Sequence, residues 1–286
     1  MQHPIAKGRA QALSLSIQVL KQVRSRIPPD RVKNDVDWIF YVWQLNRLTR
    51  YAQENTGGRW DIENAQRKLA ESVDPTRLPN VAGHSWHTGI ICHELASRHF
   101  PEVDAGRRAI LGLKHDMMEL ITGDESPIDE NGKSLGSHVY SPDKILAKDE
   151  AERAAISWYL DRFYPDEGRA REENDLLEAL ACTTIEAMFV KGIDRMVPTV
   201  EMLGFMQRGY TDGHLSQCIT HLYSALCYFP PILPYYREME ERMIVKTAER
   251  RKVPVEQVRA VLITDVDYQE ACLTVDEIQK TLETAP

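Results

Sequence analysis

The sequence predicts an all-α protein, and three observations carry that expectation. No stretch alternates apolar and polar residues for long enough to make a half-buried strand, and no Asn-Gly pair joins two β-branched runs. Apolar residues recur instead at three- and four-residue spacing along most of the 286-residue chain. Proline and glycine clusters cut that pattern at intervals, as helix ends do.

Taken in order, the periodicity predicts helices over roughly 9–26, 35–54, 61–71, 85–99, 104–121, 143–163, 172–208, 213–226 and 234–251, with short ones near 255–262 and 275–283. Pro28-Pro29 ends the first, and Asn55-Thr56-Gly57-Gly58 ends the second. Gly123 is positioned to cap the fifth. The stretch 124–142 is polar and rich in Gly, Pro and Ser. It reads as a long loop, a kind of segment that is often functional inside a compact domain. Pro198 is expected to kink the long helix around it, and Pro230, Pro231 and Pro234 to form a rigid connector. The chain then divides into an N-terminal helical extension (1–34), a core (35–212) and a C-terminal helical extension (213–286), packed together as one domain.

Composition narrows the class. The formal net charge is −8, which argues against a broad basic face for polymeric nucleic acid. No apolar run approaches the roughly 20 residues that span a bilayer, so no membrane role is expected. The N-terminus lacks the apolar run of a signal peptide. Five cysteines, an odd number without C-x-x-C spacing, suit free thiols in a reducing cytoplasm. Cys92 and Cys182 lie in apolar helical stretches and are expected in the core.

The chemistry concentrates between residues 84 and 124. His84 opens one helix, and His115-Asp116 falls late in the next, across the short acidic turn 101–104. Antiparallel helices joined so closely bring these positions together. Imidazole and carboxylate suit borderline-hard divalent ions. Glu119 lies three residues after Asp116 and four after His115, a place to hold water or pass a proton. Asp124 stands at the mouth of the long loop. Asp194, in an otherwise apolar helix, needs a partner if buried, and a metal or a nearby base such as Lys191 or Arg195 would serve. Glu186 is a weaker candidate on the same helix. His87, His93 and His99 read as surface or core residues rather than ligands.

G-H-S-W-H at 83–87, K-H-D-M-M-E-L-I-T-G-D-E-S-P at 114–127 and V-K-G-I-D-R at 190–195 together resemble the HD-domain superfamily. The nearest branch is the HD-domain 5′-deoxynucleotidases, with the phage deoxynucleotide triphosphohydrolases related to them. The resemblance implies an HD-domain helical bundle and one divalent metal per chain, Co²⁺, Mn²⁺ or Zn²⁺, with Mg²⁺, Ni²⁺ and Fe²⁺ also compatible. It implies His84, His115, Asp116 and Asp194 as metal ligands and Glu119 and Asp124 as the catalytic carboxylates. It also implies an arginine that grips phosphate, with Arg50 and Arg77 the foremost candidates and Arg47 and Arg59 behind them, and a homodimer. The helix beginning SPDKILAKDEAERAAI would help to line the site. The sequence departs from the family at Gly83, where a Glu is usual, and in the length of the loop after Asp124.

The expected activity is removal of phosphate from a nucleotide, foremost a deoxynucleoside monophosphate, with Trp86 or Tyr140 available to stack on the base. Triphosphate release from a deoxynucleoside triphosphate is the alternative within the hydrolases. A nucleotide-binding module without turnover is the alternative outside them.

Overall fold

A computed structural model describes residues 32–33, 35–37, 39, 81–122, 142–164, 168–206 and 215–284. Every regular element among them is helical. In chain order these are α1 (Val81–His99), α2 (Ala105–Lys114), α3 (Glu119–Thr122), α4 (Pro142–Phe163), α5 (Arg169–Ala181), α6 (Ile185–Met206), α7 (Leu215–Tyr223), a 3₁₀ turn (Pro230–Ile232), α8 (Leu233–Arg251), α9 (Val255–Leu262) and α10 (Val266–Thr284). Among the described residues no helix is long and apolar enough to cross a membrane. The expected helices 9–26 and 61–71, the Gly123 cap and the long loop lie outside the described residues.

The scaffold of the site is α1, α2 and α6. Helices α1 and α2 pack along their length, and both rest on α6. Their shared core holds Ile91, Cys92 and Leu95 from α1, Leu111 from α2, and Phe189, Ile193 and Val197 from α6. Tyr235, Tyr236 and Met239 of α8 and Ile219 and Leu222 of α7 belong to the same core, so the helices beyond residue 212 share it. A buried polar knot ties the short helical piece around Asp35 to that body. Asp35 accepts from Tyr235 at 2.9 Å and from Arg98 at 2.9 Å and lies 2.6 Å from His99 Nε2.

Two glycines set how closely α1 and α2 approach. A Cβ on Gly112 would lie 2.9 Å from the Cα of Gly89, and one on Gly89 would lie 2.8 Å from Leu113 Cγ. Only a residue without Cβ fits at Gly112 with the backbones where they are. Asp104 begins α2, its Oδ1 accepting from Arg107 N at 2.9 Å.

Two long helices expected from periodicity are interrupted. The stretch 104–121 breaks after Lys114 into a turn over 115–118 before α3 resumes at Glu119. Its bonds run three residues back, from Met117 N to Lys114 O and from Glu119 N to Asp116 O, both at 3.0 Å. Met118 leaves the main core here and enters a second, smaller one with Ala155, Ile156 and Leu160 of α4 and Leu176 of α5. The stretch 172–208 breaks at Cys182, which takes the left-handed conformation (φ 51°) and donates its N–H to Glu178 O. Cys182 is therefore a half-buried helix cap rather than a core residue, whereas Cys92 is fully buried. Thr184 then caps α6, its Oγ1 accepting from Ala187 N at 3.2 Å. Helix α6 runs through Pro198 to Met206.

Candidate metal centre

Four side chains converge where α1, the end of α2 and α6 meet. His84 Nε2 lies 3.0 Å from Asp194 Oδ1, 3.3 Å from Asp116 Oδ2 and 3.2 Å from His115 Nε2. His115 Nε2 lies 3.0 Å from Asp116 Oδ2 and 3.3 Å from Asp194 Oδ1. All four donor atoms fall within 4.8 Å of one another. Their presentation follows from the local folds. His84 stands one turn into α1, and Asp194 lies in the middle of α6, flanked by buried Ile193 and Met196. His115 and Asp116 are consecutive, and on an α-helix they would diverge by about 100°. The turn at 115–118 brings their donor atoms to one point instead.

The cluster is braced from behind. His115 Nδ1–H donates to the Gly112 carbonyl at 2.9 Å, which leaves Nε2 facing the cluster. Asp194 presents Oδ1 to the two imidazoles, while its Oδ2 accepts from Lys191 Nζ at 3.0 Å. Behind the turn, Lys114 donates to Glu172 at 2.6 Å and to Asp175 at 2.9 Å, and Arg107 pairs with Asp175 and Glu178. These bonds fasten α2 to α5 at both of its ends.

The electrostatics reflect crowded donors. Burial pulls the His115 imidazole down, but Asp116 and Asp194 outweigh it and push its pKa up to about 10. His84 is likewise raised, burial being overcome by Asp194. Burial raises the Asp194 carboxyl, but Lys191 and the two histidines hold it well below the ordinary range. Two imidazole nitrogens 3.2 Å apart, facing two carboxylates, are a donor set that a divalent cation satisfies and that protons satisfy less well. The residues therefore fit such an ion.

The other expected residues fall as follows. Glu119 opens α3, its side chain 8% exposed, with Lys148 Nζ 3.4 Å from Oε1. The three-residue bond from Glu119 N to Asp116 O puts it on the same side of the chain as Asp116. Trp86 is 39% exposed and packs edge-to-face on His87, so it is not a core residue. Glu186, in the first turn of α6, is not among the four converging residues. Neither are His87 (buried), His93 (exposed) and His99 (bound to Asp35). Asp124, Arg47, Arg50, Arg59, Arg77 and Tyr140 lie outside the described residues. Sequence reasoning did not single out Lys148 or the Lys114–Asp175 network. The only signal for Lys148 was its place in a segment expected to line the site.

Helices α1 and α6 and the turn after α2 gather two histidines and two aspartates, a donor set of the kind that holds a divalent metal. A family model described as HD domain matches residues 64–223, more than half of the chain, and the chain belongs to that family. HD domains are typically metal-dependent hydrolases. No curated protein and no solved structure matches the chain.

Proposed function

We propose that this chain is a metal-dependent phosphohydrolase of nucleotides and that its foremost substrates are deoxynucleoside 5′-monophosphates. The observation that carries the reading is the convergence of His84 Nε2, His115 Nε2, Asp116 Oδ2 and Asp194 Oδ1 on one point. These four residues would hold one divalent ion, Co²⁺, Mn²⁺ or Zn²⁺ by donor type. Such an ion supplies charge neutralisation at a phosphate oxygen and acidifies water.

The remaining roles belong to the chain. Glu119, beside Asp116 and largely shielded from solvent, orients water and takes its proton, with Asp124 as its partner from the following segment. Arg50 or Arg77 grips the remaining phosphate oxygens as a bidentate fork. The exposed face of Trp86 offers the base a stacking platform.

A panel of nucleoside mono-, di- and triphosphates, each assayed with Mn²⁺, Co²⁺ and Zn²⁺, tests the reading. Orthophosphate from deoxynucleoside monophosphates, lost in Asp116→Ala, is the expected result. Triphosphate as the product would replace the monophosphate assignment with its alternative. Tight nucleotide binding with no product under any metal would make the chain a binding module instead.

A further inference from the structure

Helix α4 carries a lysine that reaches across to the start of α3. Lys148 Nζ lies 3.4 Å from Glu119 Oε1 and 3.4 Å from Glu152 Oε1, one turn along its own helix. The two carboxylates are 8% and 15% exposed, and the lysine is 31% exposed. The pair with Glu119 joins positions 29 residues apart. It is not a within-helix surface contact of the kind worth little. The small core of Met118, Ala155, Ile156 and Leu160 clamps α4 against the same turn, so the lysine's backbone is anchored where the reach is made.

Glu119 has a demanding position. A carboxylate that receives a proton in the reaction must hold one orientation towards the donor. An ammonium group offers three donors, enough to bind Glu119 and Glu152 together. Glu152 in turn keeps the lysine arm directed at α3 instead of into solvent.

We propose that Lys148, steered by Glu152, is the positioning residue for Glu119, holding its carboxylate oriented for proton transfer. The inference rests on the hydrolase reading above and on Glu119 as its carboxylate. It assigns Lys148 no contact with substrate.

The test is a kinetic cycle on the metal-loaded full chain with a deoxynucleoside monophosphate, using wild type, Lys148→Met, Glu119→Gln and the double variant. Lys148→Met is expected to lower kcat by about 10- to 100-fold, part of what general base catalysis contributes, with KM within about 3-fold and metal content unchanged. Lys148→Arg should recover most of that loss. In the Glu119→Gln background, Lys148→Met should add nothing, because its effect passes through Glu119. Arg153→Met, which among the described residues breaks only the exposed pair with Asp149 on the same helix, is the control and should turn over normally. Urea unfolding of the metal-free proteins should show the Lys148 and Glu119 substitutions to be non-additive.

Three results would overturn the proposal. One is unchanged kcat in Lys148→Met. Another is a rise in KM alone, which would make Lys148 a phosphate contact. The third is a pair of losses that multiply in the double variant. Wild-type protein that binds metal but turns over no nucleotide, with the unfolding coupling intact, would refute the hydrolase reading itself and the positioning role with it.

Discussion

Gly112→Ala is the substitution that most sharply separates a site held by helix packing from one held by its ligands alone. The added Cβ would stand 2.9 Å from Gly89 Cα and 3.0 Å from Gly89 N, both backbone atoms. Carbon atoms in contact prefer about 3.5–4.0 Å, so α1 and α2 must separate by roughly 0.6–1.1 Å. Overpacking of this kind costs about 1–3 kcal/mol. Replacing a mid-helix glycine by alanine returns about 0.5–1 kcal/mol, so the net loss of about 0–2.5 kcal/mol is too broad a range for a sharp readout. The site is the better one. His84 rides on α1 and His115 on the end of α2, and metal–ligand distances tolerate only about ±0.2 Å. Metal affinity should therefore fall by about 10- to 100-fold, as it does when the support of a ligand is lost. Gly89→Ala should do less, because its closest neighbour is the exposed Leu113 side chain, which can turn away, and the nearest backbone atom, Ala109 O, stands further off at 3.1 Å. Isothermal titration of the apo-proteins with Mn²⁺ or Zn²⁺ measures both. Wild-type affinity in Gly112→Ala would refute the claim that this helix contact sets the ligand spacing.

Two further predictions concern buried charge. Burial raises the Asp175 carboxyl, but Lys114 and Arg107 hold it below its usual value. A carboxylate depressed in the folded state contributes stability above the unfolded value of about 3.9, and that contribution is lost as pH falls through the folded value. Lys114→Met should therefore cost about 1–3 kcal/mol in urea unfolding at pH 7, and its deficit should shrink below about pH 4. A deficit that stays constant down to pH 3 would contradict that. Arg108 is fully buried, its guanidinium 4.2 Å from the Phe189 ring centroid, and among the described residues its Nε, Nη1 and Nη2 have no hydrogen-bond partner. Burial lowers its pKa to about 10. Exchanging an unsatisfied buried ion for an apolar side chain of similar length is often neutral or stabilising, so Arg108→Met should gain about 1 kcal/mol. Arg108→Ala, which opens a cavity, should lose stability. A loss above about 2 kcal/mol in Arg108→Met would show that the charge is needed.

Much of the scaffold was legible in the residues. Period and punctuation located α1, α4, α8 and α9 to within a few residues, because their apolar faces and their Pro and Gly boundaries are local features. The breaks at 115–118 and 182–184 were not. Met117 and Met118 are good helix formers, and the chain turns there because Met118 is recruited into a second core with α4 and α5. Thr184 was readable as a helix cap, but the apolar pattern across Cys182 concealed it. The site divides in the same way. His84 and His115-Asp116 followed from two neighbouring helices. Asp194, the least secure ligand in the sequence, is placed by the packing of α6 on α1 and α2, 110 residues away from His84. The Gly89–Gly112 contact and the Lys148–Glu119 pair are tertiary facts, and neither spacing carries a signal by itself.

On the proposed reading His84, His115, Asp116 and Asp194 together hold one divalent ion. Its most direct test is the metal content of chelator-stripped protein reloaded with Mn²⁺, Co²⁺ or Zn²⁺, measured for wild type and Asp194→Ala, with helicity checked by circular dichroism. One ion per wild-type chain and a loss of tight binding in a folded Asp194→Ala protein are the expected results. Full occupancy in that variant, or no stoichiometric binding by the wild type, would contradict it.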